Sequence, residues 1–181
     1  MFVELDRRAY ESSNFNNSDS SIEIIESISP SKEFIIISHA FAGSKEMMRQ
    51  IAYDIANAGS NAVLFDFIGH GSNQQKLVNQ PTEITGTTQQ LVAQLSDIIK
   101  SIYEKFGNEI SISLVGHSMA SDIVIRASAD ERIKSVVAIS PYSTGITPDF
   151  PKDLLLISGQ FENHLRSHAL KMVKTFRPDA E

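Results

Sequence analysis

The sequence predicts an α/β fold: a mainly parallel sheet covered by helices on both faces. Three observations carry that prediction. Short continuous apolar runs at 34–37, 62–65, 136–139 and 154–157, and the largely apolar stretch 110–115, have the composition of strands buried on both faces. Between them lie segments whose apolar residues recur at helical spacing. The two patterns alternate along the chain, and strands alternating with amphipathic helices imply parallel pairing, with ligands bound at the carboxyl ends of the strands.

Composition bounds the rest. With 181 residues, 41% hydrophobic and 21% charged, the chain suits one domain over 1–181, with N-terminal edge strands in 1–32 and a core in 33–181. The net charge of -6 and the lack of any Lys/Arg cluster argue against nucleic acid as a partner. Without cysteine there is no disulfide framework, thiol nucleophile or thiolate metal site. No apolar run approaches the roughly 20 residues of a membrane helix, so no membrane contact is expected from this chain. The N-terminus, Met1 to Arg8, meets charge too early for a signal-peptide core, and a cytoplasmic protein is expected.

Taken in order, the polar stretch 11–20 reads as a loop, and Ile22, Ile24 and Ile28 among polar residues read as a loosely alternating strand. The first thirty residues therefore form an edge hairpin or meander. After Pro30 comes the first parallel strand, 34–37. A small-residue loop, His39 to Ser44, leads into a helix with Met47, Met48, Ile51, Ala52, Ile55 and Ala56 on one stripe and Gly59 as its stop. Strand 62–65 ends in the glycine-punctuated turn Asp66 to Ser72, followed by a polar loop to about Gly86. The long helix after it presents Leu91, Val92, Leu95, Ile98, Ile99, Ile102 and Phe106 on one face and closes at Gly107-Asn108. Strand 136–139, a short loop from Pro141 to Lys152 and strand 154–157 follow. The last helix carries Leu165, Ala169, Leu170, Met172, Val173 and Phe176.

The stretch that organises the chain is Leu114-Val115-Gly116-His117-Ser118-Met119-Ala120-Ser121-Asp122, where strand 110–115 turns into a helix with Ala120, Ile123, Val124 and Ala127 at helical spacing. So abrupt a reversal strains the backbone at Ser118. It also needs small residues two before and two after, which Gly116 and Ala120 supply. A serine there stands over a helix N-terminus, where free N–H groups and the helix dipole stabilise an oxyanion. The bland alternative is an ordinary helix N-cap serine.

Gly116-x-Ser118-x-Ala120 resembles the nucleophile elbow of the α/β-hydrolase family, with alanine where the family usually has glycine. Two further motifs stand in the family's order. His39-Ala40-Phe41 resembles its His-Gly pair and oxyanion-hole residue, and Asp66-x-x-Gly69-x-Gly71-Ser72 resembles its structural turn, with no catalytic role. The resemblance extends from about Phe34 to Phe176. It implies Ser118 as nucleophile, the backbone N–H groups of Phe41 and Met119 as the oxyanion hole, and Glu162 as the carboxylate that orients an imidazole. The alternative for Glu162 is a negative charge suiting the first turn of the last helix.

No residue matches the family's histidine, which lies on a loop after one further strand. His39, His70 and His117 belong to the motifs as neighbours, while His164 and His168 read as surface histidines of the last helix. Strand 154–157 would then be an exposed sheet edge, which proteins usually avoid. Either the natural chain continues with another strand, or another chain covers this edge, opening self-association, or a degenerate member of the fold tolerates it. The first is preferred, so the fold is expected to be truncated after the acid-bearing strand and its helix. The resemblance implies a serine hydrolase acting on a carboxylic ester, thioester or related small acyl substrate, with no cofactor or metal and an open, lidless site. The competing reading is a non-catalytic α/β-hydrolase-fold binding protein.

Overall fold

The computed structural model describes residues 10–17, 20–78, 87–142 and 153–176. They form a seven-stranded sheet in the order β1-β2-β4-β3-β5-β6-β7. The strands are β1 (Ser12–Asn16), β2 (Ser21–Ile25), β3 (Glu33–Ser38), β4 (Asn61–Phe65), β5 (Ser111–His117), β6 (Ile133–Ile139) and β7 (Leu154–Ile157), and the helices are α1 (Arg49–Asn57), α2 (Thr87–Phe106), α3 (Met119–Ala127) and α4 (Asn163–Phe176). From β4 to β7 all pairings are parallel, and β1 and β2 add an antiparallel hairpin to the β4 side.

The strand-to-helix alternation read from the sequence is thus the architecture, because each strand in the centre is apolar on both faces. Ile36 and Val63 face α2 and α3, packing with Leu95, Ile99 and Val124, whereas Ile37 and Leu64 face α1 and pack with Ala52 and Ala56. Side chains alternate across a strand, so one continuous run feeds two cores.

Three local expectations are corrected. The polar stretch 11–20 is not all loop: Ser12–Asn16 is β1, an edge strand whose ladder to β2 needs backbone groups rather than an apolar face. The segment before α1 opens as a 3-10 turn over Lys45–Met48, which rotates Met47 out of the predicted stripe and leaves it 66% exposed. Leu170 of α4 is likewise exposed. The predicted loop between Pro141 and Lys152 lies, past Tyr142, outside the described residues, as does most of the loop before α2.

β7 is the sheet's edge on the far side. Leu154 and Leu156 are half-buried against the larger core, but Leu155 and Ile157, on the α1 face, are exposed. No described helix of the chain is long and apolar enough to cross a membrane.

Candidate active site

At the carboxyl end of β5 the backbone makes the reversal that the small residues predict. Ser118 has φ 54° and ψ -113°, a conformation no ordinary helix or strand residue adopts, and α3 begins at the next residue. Its N–H donates to the Ile139 carbonyl at 2.8 Å, and its carbonyl accepts the Ser121 N–H and hydroxyl at 2.9 and 2.5 Å. Gly116 is required here by contact rather than by dihedral angle. A Cβ on it would overlap the Ala120 carbonyl and come within 2.7 Å of Val124 Cγ2. Ala120 is itself fully buried, so the methyl in place of the usual hydrogen is accommodated. Ser118 does not act as a side-chain cap: its hydroxyl makes no helix-capping bond.

β3 lies beside β5 in parallel, with Ser38 level with Gly116, so the loop carrying Phe41 leaves the sheet beside the Ser118 turn. Its conformation follows from His39. The Ala40 carbonyl can only accept, so His39 Nδ1 carries the proton it shares at 2.8 Å, and Nε2 is free to accept the Phe67 N–H at 3.1 Å. The Ala40 carbonyl also takes the Gly43 N–H at 3.0 Å. In a trans peptide the next N–H points opposite to the carbonyl, so holding that oxygen inward turns the Phe41 N–H away from His39. Among the described residues neither the Phe41 N–H nor the Met119 N–H donates a hydrogen bond, and Met119 is the first residue of α3, where helical N–H groups have no internal acceptor.

Burial lowers the pKa of His39, keeping the ring neutral. Asp66 secures the same loop from beneath, accepting the Lys45 N–H at 2.7 Å and the Ser72 N–H and hydroxyl at 2.9 and 2.8 Å. Burial alone would raise its pKa, but these donors outweigh it and the carboxyl stays below its usual range. Gly71, at φ 51°, has no room for a Cβ against that carboxylate, so the glycine-punctuated turn is structural.

Glu162 sits on the opposite side, just before α4. It does not turn its carboxylate to the helix N–H groups, the bland role open to it. Oε2 instead accepts the Gly159 N–H at 2.7 Å, and the Ser140 hydroxyl lies 2.9 Å from both oxygens. The Gly159 N–H chiefly, with the Ser140 hydroxyl and the charge of His117, lowers its pKa. Among the described residues no imidazole is hydrogen-bonded to Glu162 or to the Ser118 hydroxyl.

The last helix carries His164, exposed as the sequence predicts, and the half-buried His168. His168 stacks on the Tyr142 ring at 5.6 Å and meets His164 at 4.7 Å. Tyr142 in turn donates its N–H to Ser121 Oγ at 2.9 Å, the hydroxyl bonded to the Ser118 carbonyl. Burial, then the charges of His164 and Lys171, lowers the pKa of His168. The i, i+4 spacing that puts both rings on one face was legible, but the packing of His168 on Tyr142 was not.

The family model for the alpha/beta hydrolase fold matches residues 33–177. Among solved structures, the chain is similar to an a/b serine hydrolase without lid from Xanthomonas campestris, at TM-score 0.71 and 13% identity over 90% of this chain and 78% of that one. It is similar to a highly thermostable carboxyl esterase from Bacillus coagulans at TM-score 0.59 and 13% identity, over 94% of this chain and 52% of that one. The Pyrococcus furiosus esterase Pf2001 gives TM-score 0.56 and 22% identity, over 73% and 52% of the two chains. At these identities the likeness is one of fold, and the chain spans about half the length of the latter two. No curated protein sequence matches.

Proposed function

The chain belongs to the α/β-hydrolase fold family, and from that membership we propose that it is a serine hydrolase acting on a carboxylic ester, thioester or related acyl compound. The observation that carries the reading is Ser118, held at φ 54° between β5 and α3. Its oxygen would attack the substrate carbonyl and form the acyl-enzyme. The Phe41 and Met119 N–H groups would receive the negative charge that develops on the carbonyl oxygen. Both lack other acceptors among the described residues, and donors fixed in advance need no rearrangement at the moment of reaction.

The proton leaving Ser118 requires an imidazole. Glu162, an ionised carboxylate beyond β7, would orient it. On that side the chain offers His164 and His168, with His168 already against Tyr142. The exposed Phe41 and Phe161 rings favour an apolar acyl group over a charged one.

Among the described residues no imidazole is bonded to Ser118, which favours a second reading, a binding protein that keeps the fold without the chemistry. A short-chain nitrophenyl ester separates the two. Turnover lost in Ser118→Ala and reduced in His164→Ala or His168→Ala supports the hydrolase, whereas a rate identical in wild type and Ser118→Ala supports the binding protein.

A further inference from the structure

Ser118 is not the only serine placed this way. Ser140 follows β6 as Ser118 follows β5, and it too has a positive φ, 50° against 54°. Each donates its N–H to the last residue of the neighbouring strand: Ser118 to Ile139 at 2.8 Å, Ser140 to Ile157 at 2.7 Å. Glycine takes such a conformation without steric penalty and serine does not, so backbone geometry alone would select glycine at 140. What serine adds is a hydroxyl. That side chain is buried, at 7% exposure, and its oxygen lies 2.9 Å from both oxygens of Glu162.

We infer that Ser140 is a positioning residue for the hydrolytic site, fixing the Glu162 carboxylate so that its free lone pairs face the imidazole it orients. The inference rests on the serine-hydrolase reading. Ser140 and the Gly159 N–H grip the carboxylate from two strand ends, β6 and β7, leaving room on a group that can accept about four hydrogen bonds. A Cβ at Gly159 would stand 3.2 Å from that carboxylate, so the third wall is also close. With the Ser140 hydroxyl absent, Glu162 keeps, among the described residues, the Gly159 donor alone and can rotate about its side-chain torsions.

The test compares wild type with Ser140→Ala and Ser140→Gly in three measurements: the melting temperature, the titration of the Glu162 carboxyl carbon by NMR, and the rate at which a fluorophosphonate labels Ser118. Loss of a hydrogen bond to a charged group predicts labelling slower by about tenfold in both variants, with Glu162 titrating at higher pH than in wild type. Ser140→Gly should melt no lower than wild type, since it relieves the positive φ. Labelling at the wild-type rate in both variants overturns the inference, whatever Glu162 does. So does a Ser140→Gly protein that melts well below wild type, which would make the residue structural. A wild type that does not label at all defeats the hydrolase reading, and with it the role of Ser140, by a different result.

Discussion

The two sides of Ser118 are held by opposite means. On the β3 and β4 side, loop N–H groups donate into the buried side chains of His39 and Asp66. On the β6 and β7 side, Glu162 is only half-buried, Phe161 beside it is 89% exposed, and two donors hold the carboxylate. The first side is inseparable from folding. The second can be altered with the fold left standing, so it is there that function is tested cleanly.

The largest effect belongs to the buried side. Asp66→Ala removes the one acceptor shared by the Lys45 N–H and the Ser72 N–H and hydroxyl, and should lower unfolding free energy by about 3 kcal/mol in urea. A near-normal value would mean water satisfies them and the contrast between sides is weaker than drawn. Gly116→Ala forces a methyl into the Ala120 carbonyl and should cost about 1–3 kcal/mol. Wild-type stability there would mean that the elbow can open.

pH sharpens the same comparison. His39 has a lowered pKa when folded, so the unfolded chain binds a proton that the folded chain does not, and stability rises with pH. Its contribution is fully present above the ordinary histidine value near 6.5 and is lost as pH falls below it, by up to about 1.4 kcal/mol per pH unit. His168 has the same sign but is only half-buried, so His39→Asn should flatten the curve between pH 6.5 and about 5 more than His168→Asn does. Equal flattening would remove the distinction. The smallest effect on stability is expected for Glu162→Gln, whose melting temperature should match wild type while labelling of Ser118 slows. A large loss of stability would place Glu162 in the folding network instead.

The sequence made the buried side easier to read. Parallel strands are largely apolar runs, and a sharp strand-to-helix turn demands small residues, so β3 to β7 and the Ser118 turn left direct marks. β1 left none, because an edge strand of Ser, Asn and one Phe is held by its ladder alone. Ser140 was hidden for two reasons: a positive φ is ordinarily announced by Gly, Asn or Asp, and its partner Glu162 lies 22 residues away. The packing of His168 on Tyr142 depends on how α4 returns across the sheet, which helical periodicity does not specify.

The most direct test of the central claim is to treat the protein with a fluorophosphonate, measure its intact mass and map the modified peptide. A serine held at a strained strand-to-helix turn, with Phe41 and Met119 N–H groups that donate no hydrogen bond among the described residues, predicts a single adduct on Ser118, absent from Ser118→Ala. An unmodified wild type, or an adduct on another serine that persists in Ser118→Ala, would contradict it.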